Sequence, residues 1–589
     1  MTTRGGRTNR SGESRPGLTL VDPRRRITAV GIFVAMALSL FAGRLVQLQG
    51  LEASAYAETA SAERLQTVDI PATRGEITDV HGVPLATTVD AVNITADQTQ
   101  VGDPLSVAAA LAPVVGVDMD ILRDHLTGES NGANVLDEVT PAVWHKVEEL
   151  RLPGIYGEPT AKRVYPQGSL AANLLGFVGS EGHGLGGFEA SLDRTLAGKD
   201  GQLTFEAAPG GSRIPTGDTG GEEATPGVDV RLTIDRDLQF MAERAIRSKV
   251  KESQAESGTV VVMDPRTGRV LALATYPSFD PGNYLASSPE NRGNRAVSDI
   301  YEPGSTSKVM TMAAALDAGV VSPSSRIEVP PILYRGGSDF HDHDPHGTLH
   351  LTATGVLAQS SNLGMMLIAE ELGREKLYDS LKLFGIGEPS GLGFPGESPG
   401  ILPSVNDWGP TNFATIAFGQ GLSLNAVQST SVFATIANDG VRVEPTLVDG
   451  TTTPDGNYTP APAPVQHRVV STEAATTLRE MMETVVSDEG TAPMAQIPGY
   501  RVAGKTGTAQ RFVESCGCYQ GYTASFIGFA PADDPALVVS VTLQDPVNGH
   551  YGGELGGPVF KRVMSFALQT QQIPPTKYDP PHLRLTYRP

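Results

Sequence analysis

This sequence predicts an α+β multidomain protein: a single N-terminal transmembrane helix, an elongated β-rich pedestal, and a larger domain with a central antiparallel sheet flanked by helices. Three observations point there. Residues 27–43 form one apolar run, ITAVGIFVAMALSLFAG. Residues 50–225 read as short β-like segments punctuated by Gly and Pro. From Val228 onward, strand-like stretches lie at both ends of a region whose middle is helical, so one sheet built from both ends is the economical arrangement.

The chain has 589 residues, 40% hydrophobic and 19% charged, which is a globular composition too long for one core. A formal charge of −21 argues against a nucleic-acid partner, which would want a basic face. The boundaries follow from composition: a basic tail at 1–26, an anchor at 27–49, the pedestal at 50–225, the larger domain at 226–573 and a Pro-rich tail at 574–589.

The tail ends in Arg24-Arg25-Arg26, and seven arginines precede the apolar run. The positive-inside rule puts the N-terminus in the cytoplasm and everything after residue 50 outside. No A-x-A site closes the run and apolar residues continue past Arg44, which favours an uncleaved anchor over a cleaved signal peptide. A buried core helix fits the asymmetric flanks poorly.

The pedestal opens with a helix-like stretch around Ala53 to Leu65 and then turns β-like. Two phrases stand out, RGEITDVHG (74–82) and GLGGFE (184–189) followed by Leu192-Asp193. Both read as turn-rich structural stretches, and neither pairs a nucleophile with a base. A Gly/Pro/Thr-rich boundary covers 209–227.

Beyond it, Val230 to Ile234 alternates like a strand and Leu238 to Val250 has helical periodicity. Thr259 to Asp264 and Arg269 to Ala274 form a hairpin around Pro265-Arg266-Thr267-Gly268. Gly521 to Ala530 and Ala536 to Leu543 repeat that pattern near the other end. Residues 451–466, rich in Pro and Thr, read as a surface loop. The two cysteines, Cys516 and Cys518, are too few for a disulfide framework; two thiols on a loop is the favoured state, a small strained ring the alternative.

The chemistry lies in three ordered motifs. Ser305-Thr306-Ser307-Lys308 opens a helix running to Leu316, so Ser305 sits where backbone N–H groups stabilise negative charge. Lys308 shares its face and is the candidate base, its pKa lowered by a second cation, Lys505. Ser360-Ser361-Asn362 follows an amphipathic stretch; the Ser360 hydroxyl can relay a proton, and the Asn362 amide can bond Lys308 and a substrate backbone. Lys505-Thr506-Gly507-Thr508 lies on a strand, where Lys505, Thr506 and Thr508 can hold a carboxylate and Gly507 lets a ligand backbone approach. A backbone N–H there, with that of Ser305, can form an oxyanion hole. Each motif alone is weak: the first would otherwise be a serine cap, the second a turn.

Two competing signals are set aside. Gly499 to Thr506 matches a phosphate loop formally, but Gly507 follows at once and the sequence stays strand-like instead of opening a helix. His341-Asp342-His343-Asp344-Pro345-His346, with His350 nearby, invites a metal, yet adjacent ligands converge poorly and the usual spacing is missing. No metal or cofactor is assigned.

The triplet resembles that of class B penicillin-binding proteins, the peptidoglycan transpeptidases, and the match covers nearly everything after residue 27. It extends to RGEITDVHGVPLA (74–86), Gly184 to Glu189, Leu232-Thr233-Ile234-Asp235 and Gly419-Gln420-Gly421. Val80-His81 stands where the family often has Arg-Asn, and Asn425 where it often has Thr. The resemblance implies that Ser305 is acylated by the penultimate D-Ala of a stem peptide, releasing the terminal D-Ala. A neighbouring stem peptide's amine then resolves the ester, and β-lactams would stall there. It implies a penicillin-binding domain behind a dimerisation-type pedestal, without the glycosyltransferase domain or glutamate motifs of class A relatives. By analogy, the partners would be a SEDS-family glycan polymerase and divisome membrane proteins. The division-type FtsI branch fits best and an elongation-type enzyme is close behind. A D,D-carboxypeptidase or β-lactamase could use the same triplet, and a non-catalytic β-lactam sensor is the alternative from another class.

Overall fold

The computed structural model describes residues 23–51, 64–206, 219–513 and 516–589, and the chain divides into two units. The first comprises the chain up to Ile70 together with Gly201–Glu223. In it, Pro23–Val46 is one α-helix continued by a wide turn over Gln47–Leu51, and none of the helix's side chains is buried in protein. Its 24 residues span about 36 Å at 1.5 Å per residue, enough for a hydrocarbon core of about 30 Å. This one N-terminal apolar helix fits the expected single-pass anchor. Leu65–Ile70, Gly201–Glu206 and Thr219–Glu222 form a three-stranded antiparallel sheet in the same unit. The basic tail as far as residue 22, the helix-like stretch from Ala53 to residue 63 and the boundary at 209–218 lie outside the described residues.

The second unit holds Pro71–Asp200 and Ala224–Pro589. In chain order it contains β1 (Ile77–Thr78), β2 (Pro84–Ala96), β3 (Ala133–Val139), β4 (Ile155–Val164) and β5 (Asp229–Leu232). Then come α1 (Arg236–Ser253), β6 (Ser257–Met263), β7 (Val270–Tyr276), α2 (Lys308–Asp317), α3 (Asn362–Leu372) and α4 (Ala426–Ala437). The chain closes with β8 (Val448–Thr452), β9 (Tyr458–Pro460), β10 (Ala503–Val513), β11 (Cys518–Ala530), β12 (Leu537–Gln544) and α5 (Gly552–Thr570).

The central sheet runs β7-β6-β12-β11-β10, antiparallel throughout, with two strands from the start of the region and three from its end. Strand alternation builds two cores. Val260 and Val262 face α1 and α5 with Leu238, Ile246, Phe526 and Phe560. Val261 and Met263 face the other way, into the cluster holding Phe433 of α4 and Met312 of α2. β6 is buried along its whole length because helices cover both faces, which explains its uninterrupted apolar run.

A seven-stranded sheet runs β9-β8-β5-β1-β2-β3, with β4 also paired to β2. Residues 451–466 are therefore not simply a loop. β8 and β9 form a hairpin, Tyr458 OH donates to Asp449 Oδ2 (2.8 Å), and the Arg231 guanidinium lies 4.0 Å from the Tyr458 ring centroid. The expected β-rich pedestal also contains helices, the longest of those described being Pro104–Val115, Met119–Leu126 and Pro141–Glu149, N-capped by Asp103, Asp118 and Thr140 respectively. It shares a core with the region beyond it: Ile77, Leu85, Leu174 and Phe188 lie in one cluster with Val230, Val261 and Met312.

The two pedestal phrases meet in a buried ion network. Arg74 Nε donates to Glu189 Oε2 (2.7 Å) and Arg74 Nη1 to Asp193 Oδ1 (2.6 Å). Arg163 Nε donates to the other Glu189 oxygen (2.7 Å), and Glu189 is 0% exposed. Two guanidiniums share one carboxylate away from water, so removing it leaves buried charge uncompensated. Glu189→Ala is expected to lower unfolding free energy by about 3–5 kcal/mol. Urea denaturation checks this, and an unshifted midpoint would contradict it.

Candidate active site

The turn that presents Ser305 is narrower than the expected continuous α-helix. Gly304–Ser307 is a 3₁₀ turn, and α2 begins at Lys308. The turn is gripped from two sides. On one, the Gly304 amide donates to Gly419 O (2.9 Å); a Cβ at Gly419, where φ is +92°, would stand 2.1 Å from Gly304 O. On the other, β10 packs through Gly507, whose Cβ would meet Ser525 Oγ at 2.3 Å and Pro303 O at 3.0 Å. The missing side chain of Gly507 thus admits the Ser305 turn on that face of the strand. Glu302 braces the same turn: its Oε1 accepts from the Gly421 amide (2.9 Å) and from Tyr519 OH (3.0 Å), and burial raises its pKa.

Ser305, Ser360, Asn362, Thr506 and Thr508 all line one cleft of about 710 Å³. Behind it sit Lys308 and Lys505, both 0% exposed. Lys308 Nζ donates to Ser360 O (2.5 Å), Asn362 Oδ1 (2.7 Å) and Ser360 Oγ (3.3 Å). Lys505 Nζ donates to the same Ser360 Oγ (2.9 Å) and to Thr506 Oγ1 (3.2 Å). One hydroxyl therefore joins the amine groups of Lys308 and Lys505, 52 residues before it and 145 residues after it in the chain. Ser360 holds this position at φ +59°, a left-handed conformation that costs an L-residue about 1–2 kcal/mol.

Burial is the main cause of both lysine shifts. It pulls Lys308 down to about 7, against the opposing pull of the Asp342 carboxylate. Lys505 is also held well below the usual lysine range, first by burial and then by the like charge of Lys308. The expectation that Lys505 is what lowers Lys308 gives way to dehydration as the leading cause.

Lys505 stands on β10, the outer strand of the central sheet, so the cleft side of that strand is open to an extended chain. No helix follows Lys505, which removes the phosphate-loop geometry. Thr508 Oγ1 accepts from the Gly552 amide (3.2 Å), and Thr506 Oγ1 lies 3.0 Å from Thr491 Oγ1. At the far end of the β10–β11 hairpin, Cys516 and Cys518 form a disulfide, not the favoured pair of thiols. The turn sets their Cα atoms 5.2 Å apart, within disulfide reach.

A family model described as the penicillin binding protein transpeptidase domain matches residues 258–565, and one described as the penicillin-binding protein dimerisation domain matches 69–232. The chain belongs to the penicillin-binding protein transpeptidases. It is 35% identical to penicillin-binding protein PbpB of Mycolicibacterium smegmatis, over 95% of this chain and 91% of the relative. It is 32% identical to the peptidoglycan D,D-transpeptidase FtsI of Escherichia coli, over 92% and 91% respectively. Penicillin binding protein 3 of Mycobacterium tuberculosis, solved in complex with ampicillin, superposes with a TM-score of 0.71 at 33% identity, covering 88% of this chain and 100% of that one.

Two features of this penicillin-binding protein were not visible in its motifs. Asp342, in sequence only a metal-ligand candidate, reaches the Ser360–Asn362 turn, and Tyr551 lines the cleft. Among the described residues no group of three or more His, Cys, Asp or Glu converges as a metal site. Asn425, one of the departures from the family pattern, caps α4 with a full capping box and does not line the cleft.

An amine accepts a proton only when neutral, and the neutral fraction of Lys308 grows as pH rises through about 7. The second-order rate of acylation by a fluorescent penicillin is expected to climb across that range. A profile that is flat, or falls with pH there, would remove Lys308 as base.

Proposed function

We propose that this transpeptidase is a membrane-anchored, serine-type peptidoglycan D,D-transpeptidase with Ser305 as nucleophile. The observation that carries the reading is the shared Ser360 hydroxyl between Lys308 and Lys505, a proton path from base to carboxylate-binding strand. A donor stem peptide lies along β10, its terminal carboxylate on Lys505, Thr506 and Thr508. That anion favours the charged form of Lys505 while Lys308 stays neutral. Lys308 takes the Ser305 proton as the oxygen attacks the penultimate D-Ala carbonyl. The oxyanion is held by backbone N–H groups of Ser305 and of the Lys505–Thr508 stretch. Collapse breaks the peptide bond, and the proton returns through Ser360 to the departing D-Ala amine. An amine of a neighbouring stem peptide then attacks the Ser305 ester, gives up its proton along the same path, and leaves as the cross-linked amide. β-Lactams enter by the same first step.

The anchor is read with its N-terminus in the cytoplasm, supported by the seven preceding arginines, and the catalytic unit outside. Likeness to FtsI supports a septal role, with a SEDS-family polymerase and divisome membrane proteins as partners by analogy.

Ser305→Ala is expected to abolish covalent labelling by fluorescent penicillin with unchanged thermal unfolding, and Lys308→Ala to lose nearly as much because the two act as one unit. Stoichiometric labelling of the Ser305 variant would sink the assignment. With a donor peptide and added acceptor amine, mass spectrometry should find the amide product; free tetrapeptide alone would indicate a carboxypeptidase. Protease added to intact spheroplasts should degrade everything after residue 50, and protection would reverse the orientation.

A further inference from the structure

The loop His341–His346 has no part in the chemistry above, yet one of its side chains enters the site. Asp342 Oδ1 accepts from the backbone amides of Asn362 (2.5 Å) and Leu363 (3.0 Å). Its Oδ2 accepts from Ser361 Oγ (2.6 Å) and faces His346 Nε2 at 3.1 Å. The carboxylate is sunk in the cleft wall, its side chain 10% exposed, and another histidine of the loop, His343, is 2.9 Å from Tyr551 OH on the facing wall.

These contacts fall on a turn that needs outside support. Ser360 is left-handed, and Ser361 must cap α3 by accepting from the Gly364 amide (2.9 Å). That cap satisfies only one of the first amides of α3. Asp342 takes the next two, at the residues whose side chain and neighbour meet Lys308. An anion at this helix start is also favoured by the helix dipole.

We propose that Asp342 is the positioning residue of the proton-transfer turn, holding Ser360 O, Ser360 Oγ and Asn362 Oδ1 converged on the Lys308 ammonium and supplying its counter-charge. The proposal rests on the roles given above to Ser305 and Lys308. Asp342 touches no reacting atom and acts through Asn362 and Ser361. The charged and titratable groups around it are His343, Asp344 and His346 in its own loop, Lys308 of α2, Lys505 of β10 beyond Ser360, and Glu489, Tyr551 and Glu554 elsewhere on the cleft wall.

Geometry and charge can be separated by two variants. Asp342→Asn removes the charge and the acceptor facing Ser361; Asp342→Glu keeps the charge on a longer arm. Acylation by fluorescent penicillin is measured against pH, with thermal unfolding and Ser305→Ala in parallel. For Asp342→Asn the plateau rate is expected to fall about tenfold or more, the size expected for losing a charged hydrogen bond. Its acidic midpoint should move to lower pH, since Lys308 without a nearby anion sheds its proton more readily. For Asp342→Glu the midpoint should stay near the native one while the plateau falls. A native plateau in either variant overturns the proposal, as does a loss in Asp342→Asn without the acid shift, which marks a merely structural role. If Asp342→Asn does not fold, the Glu variant decides by its plateau alone. Labelling of Ser305→Ala would instead overturn the underlying reading, so the two failures are told apart.

Discussion

Two lysine side chains buried side by side are the constraint on which this structure turns. An ammonium ion out of water costs several kcal/mol even after relaxation, and a second one nearby adds repulsion. The fold accepts this only because every donor is met: Lys308 by Ser360 and Asn362, Lys505 by Ser360 and Thr506. Those partners come from the turn before α3 and from the edge strand β10, far apart in sequence, so both must be in place around Lys308 for the site to exist. The reward is chemical. A lysine brought down to about 7 is a usable base at neutral pH, whereas a solvated one is not.

The supporting architecture follows from that need for rigidity. The central sheet packs apolar side chains on both faces, and its outer strand β10 presents Lys505 from the same backbone that packs against the Ser305 turn. Gly304, Gly419 and Gly507 mark the points of closest approach between turn, loop and strand. The pedestal contributes strands and apolar side chains to this unit, and the ionic knot at Glu189 ties its two signature phrases together. Orientation at the cleft and folding of the pedestal are thus parts of one mechanical problem.

Much of this was legible in the sequence, for identifiable reasons. The apolar strand-like runs of β6, β7, β11 and β12 and the helical spacing of α1 are local signals, and the structure follows them. The three motifs named the chemistry because each carries its residues within four positions. Long-range choices were not legible. Nothing local shows that Gly507 turns its bare face to Pro303 and Ser525, or that residues 458–460 pair with β8. Asp342 is the sharpest case: in sequence it is one of six polar neighbours suggesting a metal, and only folding carries it across to Asn362. The cysteine pair depended on a hairpin turn whose Cα separation composition cannot reveal.

The left-handed backbone at residue 360 carries an implication for how such a protein evolves. Backbone preference alone would select glycine or asparagine there, since neither resents a positive φ as serine does. Glycine would relieve the strain and delete the hydroxyl that both lysines share. A population screened for thermal robustness alone would drift toward that relief, and its survivors would be sturdier and silent. At this one residue, backbone comfort and the hydroxyl that both lysines share pull in opposite directions, and serine keeps the hydroxyl.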